Sequence, residues 1–361
     1  MGKWDFKSYK SIPQRGLYMN NPVLTNNTLR VKESNTNLIL DTLKTAEVAT
    51  RAEIAKITGL SIATCGNILK DLVASEEILE GDLENCSGGR PARQYIYNKN
   101  FSLVIAMTIQ SDTTLKTLQY AVTNLYGEIL EERVKAYDRI DAEAVSSLVG
   151  TLIQAHPNIK SIGIGIPGFA DKDGTIGIND IEELNGVNLV QMLEKKFKIK
   201  AAIDRSPAIS AYGFYKGHPE YKDQTLTTIL TPVGHPVGAG FIINGQIYKG
   251  SFNMEGEISY IYKSFADHLL PNTPEDAKLI NETLFSISAV ISTLNPSVIV
   301  FMGKSFTPEI YEKICDQCRE MFPNEFLPEF ELQEDYSDVY LQGTIQIAID
   351  CLKPKVKLIA K

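Results

Sequence analysis

A chain of 361 residues with 43% apolar side chains is too long for one small domain and can bury two or three cores. No apolar run approaches the ~18 residues that cross a bilayer, and the segment holding Lys3, Lys7, Lys10 and Arg15 lacks the apolar stretch of a secretory leader. A cytoplasmic protein with no membrane partner is expected. The net charge of −8 speaks against nucleic-acid binding only until its distribution is read. Residues 1–28 hold four bases against one acid, and residues 29–98 eight bases against ten acids, so the acidity lies beyond residue 98.

In chain order, residues 1–28 read as a flexible basic arm, residues 29–98 as one domain and residues 99–361 as a larger one. Leu38, Ile39, Leu43 and Ala46 predict a first helix from about Asn35. Thr50 stands three residues before Glu53, a capping box that opens a second helix, and Gly59 suits its left-handed end. Ser61 is an N-cap for a third helix in which Cys65, Ile68, Leu69 and Leu72 recur on one side. Ala63, Thr64, Asn67 and Lys70 then point outward, and a short turn before such a helix suits insertion into a major groove.

Two strands follow, Ile78-Leu79-Glu80 and Gln94-Tyr95-Ile96-Tyr97, joined through Ser87-Gly88-Gly89-Arg90-Pro91-Ala92-Arg93. A plain structural hairpin has no need of two arginines. A glycine-rich tip lets the backbone approach closely, and Arg90 and Arg93 suit a minor groove or phosphate. A winged helix-turn-helix is expected, reading double-stranded DNA through Ser61, Ala63, Thr64, Asn67, Lys70, Arg90 and Arg93.

From Phe101 onward strand-like and helix-like segments alternate, which predicts an α/β fold. Leu103–Met107, Leu118–Val122, Gly127–Leu130, Ser161–Gly168, Gly238–Gly245 and Ser297–Gly303 are the strand candidates. The five cysteines are scattered, and Cys315 and Cys318 form a lone pair inside a helical pattern over Glu309–Phe322. With no second pair or histidine cluster nearby, they read as spare thiols rather than zinc ligands.

The helix-turn-helix with Gly88-Gly89-Arg90-Pro91, the turn Gly163-x-Gly165-x-Pro167-Gly168, Gly240 to Gly250, Gly256-Glu257-Ile258, Asn295-Pro296-Ser297-Val298-Ile299-Val300 and the Gly343 helix occur in one order. Together they resemble the ROK family of repressors, open reading frames and sugar kinases, over about residues 30 to 352. The resemblance implies an N-terminal winged helix-turn-helix fused to an actin-like, ribonuclease-H-type body of two lobes with a sugar cleft between them. It also implies a repressor that binds its operator as a homodimer or homotetramer.

A kinase of this family needs an aspartate base in an Asn-Asp pair, two phosphate-cradling turns and usually a zinc-ordered loop. The stretch matching the base is Ala202-Ile203-Asp204-Arg205-Ser206-Pro207-Ala208, with Arg205 for the asparagine and Ser206 for the aspartate. A serine hydroxyl is no general base near neutral pH, and Asp204 is one or two places away on a strand end. The first cradle matches Ile109-Gln110-Ser111-Asp112-Thr113, without a glycine. The second matches Gly234-His235-Pro236-Val237-Gly238, where proline supplies no N–H. At the zinc loop Tyr260 ends the Gly256-Glu257-Ile258-Ser259-Tyr260 match, and no cysteine lies between Cys86 and Cys315. The expectation is a non-enzymatic body with no cofactor and no metal. A sugar kinase that transfers phosphate from ATP to a hexose is the alternative.

Glu257 is the sugar-contacting carboxylate that the resemblance leaves in place, Asn185 a second polar contact, and Tyr260 a ring to stack on a sugar face. Arg205 would favour an anionic group such as a phosphosugar. The competing reading pairs Arg205 with Glu257 across a cleft without a ligand. The expected effector site is therefore Asn185, Asp204, Arg205, Glu257 and Tyr260, for a carbohydrate effector.

Overall fold

The computed structural model describes residues 27–84, 91–111, 115–177, 179–232, 236–261 and 274–353. Two compact units meet at the boundary between Asn98 and Lys99.

The first unit holds α1 (Asn27–Ala46), α2 (Arg51–Thr58) and α3 (Ile62–Ala74) with β1 (Val48–Thr50), β2 (Ile78–Glu84) and β3 (Ala92–Tyr97). Its antiparallel sheet has the order β1-β3-β2. Ile39, Leu43, Ile54, Cys65 and Leu69 are fully buried in its core. The Thr50 backbone N–H donates to the Glu53 carboxylate at 2.8 Å, completing the capping box at the start of α2. Gly59 ends that helix at φ 72°, and the Ser61 hydroxyl accepts from the Thr64 N–H at 3.0 Å at the start of α3.

Two expectations need correction here. The first helix starts at Asn27 rather than Asn35, so it also crosses the expected boundary at residue 29. Thr36, Thr42 and Thr45 turn their hydroxyls back to carbonyls four residues earlier, which lets polar residues that favour caps sit inside a helix. Strand β1 was not foreseen, since three residues are too few to display an alternation.

The second unit has two lobes of similar plan. In the first, β4 (Leu103–Ser111), β5 (Lys116–Thr123), β6 (Ile129–Tyr137), β7 (Ile159–Ile166) and β8 (Lys200–Arg205) form a sheet of order β6-β5-β4-β7-β8. Strands β4, β7 and β8 are parallel, and β4, β5 and β6 form an antiparallel meander. Helices α4 (Ala142–Ala155) and α5 (Leu189–Phe197) bury Val145, Val149, Leu152, Leu189 and Leu193 against one face.

The second lobe's sheet has the order β11-β10-β9-β12-β13, from β9 (Leu226–Leu230), β10 (Gly238–Ile243), β11 (Gln246–Ile247), β12 (Val298–Met302) and β13 (Glu329–Gln333). Helices Glu275–Thr293 and Pro308–Met321 cover one face through Ile287, Ile291, Ile314 and the buried Cys315 and Cys318. Helix α6 (Ser206–Gly217) covers the other through Ile209 and Phe214.

A closing helix, Ser337–Asp350, completes both lobes. Leu341 and Ile345 pack on Ala106 and Ala121 of the first sheet, while Tyr340 and Ile347 join the core of the second. It crosses α6 at backbone distance: a Cβ on Gly213 would collide with the Val339 carbonyl, and one on Gly343 with the Ile209 carbonyl. Only glycine fits at that crossing. No helix of the described residues is long and apolar enough to cross a membrane.

Candidate ligand cavity and DNA-reading face

The carboxyl ends of β4, β7, β8 and β9 converge on a cavity of about 400 Å³ between the two lobes of the body. Ligands of open α/β sheets bind at such strand ends. Gln110 and Ser111 reach it from the end of β4, and Pro167 and Gly168 from the turn after β7. Ser206 and Pro207 open α6 at its floor, and Glu257 and Ser259 close the far side. Asn179 and Asp180 also line it, an Asn-Asp pair that the motif search, fixed on Arg205 and Ser206, did not single out. Asn179 is held in place from both ends: its amide donates to the Asn185 side-chain oxygen at 2.9 Å, and its own oxygen accepts from the Ile181 N–H at 2.7 Å.

Of the five expected effector residues, only Glu257 lines this cavity. Asn185 stands one layer back and orients Asn179. Tyr260 is 58% exposed and is not on the cavity wall, where its neighbour Ser259 stands instead. Asp204 and Arg205 belong to a buried charge cluster beside it. Asp204 accepts from the Lys249 ammonium at 2.5 Å and from the Arg205 N–H at 2.9 Å. The Arg205 side chain, 3% exposed, lies 3.5 Å from Glu257 and 3.8 Å from Glu255. Lys249 also reaches Glu255, at 3.7 Å. Two cations thus lie among three carboxylates; Arg205 Nη1 donates to Glu257 at 3.5 Å, while its Nε and Nη2 and Glu255 Oε1 are buried without a hydrogen bond.

This corrects the expectation of an anionic ligand drawn by Arg205. Its charge faces Glu255 and Glu257 rather than the cavity, and no cation is present among the described residues of the cavity wall. Gly256, at φ 82°, is what lets Arg205 pass: a Cβ there would stand 2.6 Å from Nη2. Lys249 and Glu255 were missed in the sequence, although each sits within a residue of Gly250 or Gly256 in a glycine-bounded turn.

On the kinase machinery, Ser206 does occupy the cavity floor at the expected place, while the Asp204 carboxylate is held away by Lys249. Pro236 lines the wall at the second cradle, whose Gly234 and His235 lie outside the described residues, as do Asp112 and Thr113 of the first. Among the described residues no group of three or more His, Cys, Asp or Glu side chains could hold a metal ion. Burial pushes the thiols of Cys315 and Cys318 up to about 11 and about 12.

On the first unit, Ala63, Asn67 and Lys70 are exposed on α3 and Thr64 is half-buried, opposite the buried Cys65, Ile68, Leu69 and Leu72. Ser61 is occupied as the cap of α3. Arg93 lies within β3 rather than in the connection, opposite Leu83, and its guanidinium is 3.6 Å from the Glu80 carboxylate. Arg90, with the glycines beside it, lies outside the described residues.

Residues 112–275 match the ROK family. The xylose repressor of Caldicellulosiruptor bescii is 27% identical over 252 residues, which are 67% of this chain and 61% of that protein. The DNA-binding transcriptional dual regulator NagC of Escherichia coli is 24% identical over 239 residues, 64% of this chain and 58% of its own length. The matched stretch spans about three fifths of the curated relatives. A solved ROK family transcriptional regulator, a homologue of the Escherichia coli MLC protein, superposes with a TM-score of 0.65 at 17% identity. That likeness is one of fold, and it covers 89% of this chain and 98% of the other. Such coverage takes in the helix-turn-helix unit as well as the actin-like, two-lobed body. By sequence the match to the ROK family rests on residues 112–275, a little under half of the chain.

Proposed function

We propose that the chain is a sequence-specific DNA-binding transcription regulator, a repressor of carbohydrate-metabolism genes. In this reading residues 1–28 form a basic arm and residues 29–98 read a double-stranded, pseudo-palindromic operator. Residues 99–361 form a cytoplasmic homodimer or homotetramer and sense a sugar without phosphorylating it. One observation carries the loss of catalysis. The cavity floor offers the Ser206 hydroxyl where a proton acceptor is required, and the adjacent acid, Asp204, is tied to Lys249.

The cavity supports a neutral polyhydroxyl ligand. Carboxylates and amides match vicinal hydroxyls, and Asp180, Glu257, Gln110 and Asn179 supply both. A thermal-shift series should show stabilisation by neutral pentoses or hexoses, lost in Glu257→Gln, and none by their phosphates. Stabilisation by sugar phosphates alone would sink this part of the reading.

DNA binding is tested by comparing the chain's own upstream region with random duplex at several salt concentrations. Preference for the upstream region, weakened steeply by salt and by Arg90→Ala, is expected. Equal affinity for both duplexes rejects the regulator. A sugar kinase remains the second reading, favoured by the Asp180 carboxylate on the cavity wall. ATP turnover with a hexose, abolished in Asp180→Asn, would establish it.

A further inference from the structure

The outward face of α3 follows an i, i+1, i+4, i+5, i+8 pattern of Ile62, Ala63, Gly66, Asn67 and Lys70. Its first member is out of keeping with a solvated surface. Ile62 is a large apolar side chain, 56% exposed, placed directly after the cap Ser61, with Ala63 exposed beside it. Two methyl-bearing side chains thus share the end of the helix that leads into a groove.

Gly66 leaves the middle of the face bare, and Arg51 lies across the gap from the first turn of α2. A Cβ on Gly66 would stand 3.2 Å from Arg51 Nη1 and 3.5 Å from its Cδ. At the rim, Asp71 is paired with Lys32 at 2.6 Å, and that ammonium holds its carboxyl below the usual range. The acid closest to the face is thereby matched within the protein.

The arrangement orders three chemistries along one helix: methyl groups first, an amide next, and cations across and beyond. In the major groove thymine is marked by its 5-methyl group and adenine by an N6/N7 pair that an asparagine amide matches bidentately. Phosphates on the groove walls suit arginine and lysine. We propose that α3 is a thymine reader. Ile62 and Ala63 pack on thymine 5-methyl groups, beside an adenine engaged by Asn67, while Arg51 and Lys70 hold flanking phosphates. The proposal rests on the DNA-binding reading above and adds which base the helix selects and through which atoms.

The test uses the full chain and a duplex that it selects from a random pool. Each thymine of one half-site is then replaced in turn by deoxyuridine, which removes the methyl group and keeps the pairing edges. Affinity should fall about fourfold at each contacted position, the worth of one buried methyl group. Ile62→Ala should bind the thymine duplex more weakly and show no further loss on the uridine that the wild type detects. Because Ile62 is exposed, the variant should melt with the wild type, and that melt is the control. Arg51→Gln should weaken selected and unselected duplexes alike and reduce the salt slope by about 1. Equal binding of thymine and uridine duplexes overturns the proposal with DNA binding intact, as does a selected half-site without thymine. Failure to select any sequence overturns the parent reading instead.

Discussion

On α3 one helix supplies every outward group, whereas the charges beside the cavity come from segments 45 residues apart and face one another. The two regions differ in what their polar residues are for. Asn67 and Lys70 on the candidate DNA-reading face are exposed, so their loss should alter affinity and leave the fold alone, whereas Ser61 and Thr64 bond each other at the start of α3. Asp204, Arg205, Lys249 and Glu255 already have partners, so their loss should be felt in stability first.

The sharpest way to break this contrast is Arg205→Met, which strands Glu255 and part of Glu257 without their guanidinium. Removing one member of a buried ion pair costs about 3–5 kcal/mol, to be read from urea denaturation of the body. A loss below about 1 kcal/mol would mean that the cluster is not coupled as its geometry implies.

Next in size is Gly213→Ala. Its methyl would meet the Val339 carbonyl where α6 and the closing helix cross, and overpacking of this kind costs about 1–3 kcal/mol. The effect should fall on the body's denaturation and spare the DNA affinity of residues 29–98.

The smallest effect belongs to the helix-turn-helix unit. Thr50→Ala removes the cap of α2 and should cost about 1 kcal/mol. The Thr50 N–H and hydroxyl hold the Glu53 carboxyl below its ordinary 4.5. A lowered carboxyl contributes stability that is complete above that ordinary value and is lost as pH falls through the folded-state value. Melting of the wild type should therefore weaken below about pH 4.5, and Thr50→Ala should remove part of that dependence. Parallel pH profiles for the two proteins would show that the box adds nothing to α2.

What was legible in the sequence follows the same division. Caps, periodic cores and strands are local, so Thr50, Gly59, Ser61 and the Cys65–Leu72 stripe could be read from spacing. Of the glycines read as turns, Gly168 and Gly245 stand in turns, while Gly163 and Gly165 lie inside β7 and Gly240 inside β10, where a Cβ would meet a packed neighbour. The cavity wall was legible at Glu257 and, through the kinase-motif matches, at Gln110, Ser111, Ser206 and Pro236, whereas Asn179 and Asp180 arrive from a loop whose approach is set by the two sheets. Of the two readings of Arg205, an anionic ligand or a pair with Glu257, the pair is the one present, at 3.5 Å. Nothing near it in the chain reveals that Glu255 lies 3.8 Å away.

The closing helix has a consequence for synthesis. The inner face of the first sheet, with Ala106, Ala121 and Ser161, packs on residues 337–350, and the Ser161 hydroxyl donates to the Ala348 carbonyl. The first lobe cannot be sealed until residues 337–350 have left the ribosome. The helix-turn-helix unit has all its core by residue 98. A nascent chain thus completes its first unit before the second can close.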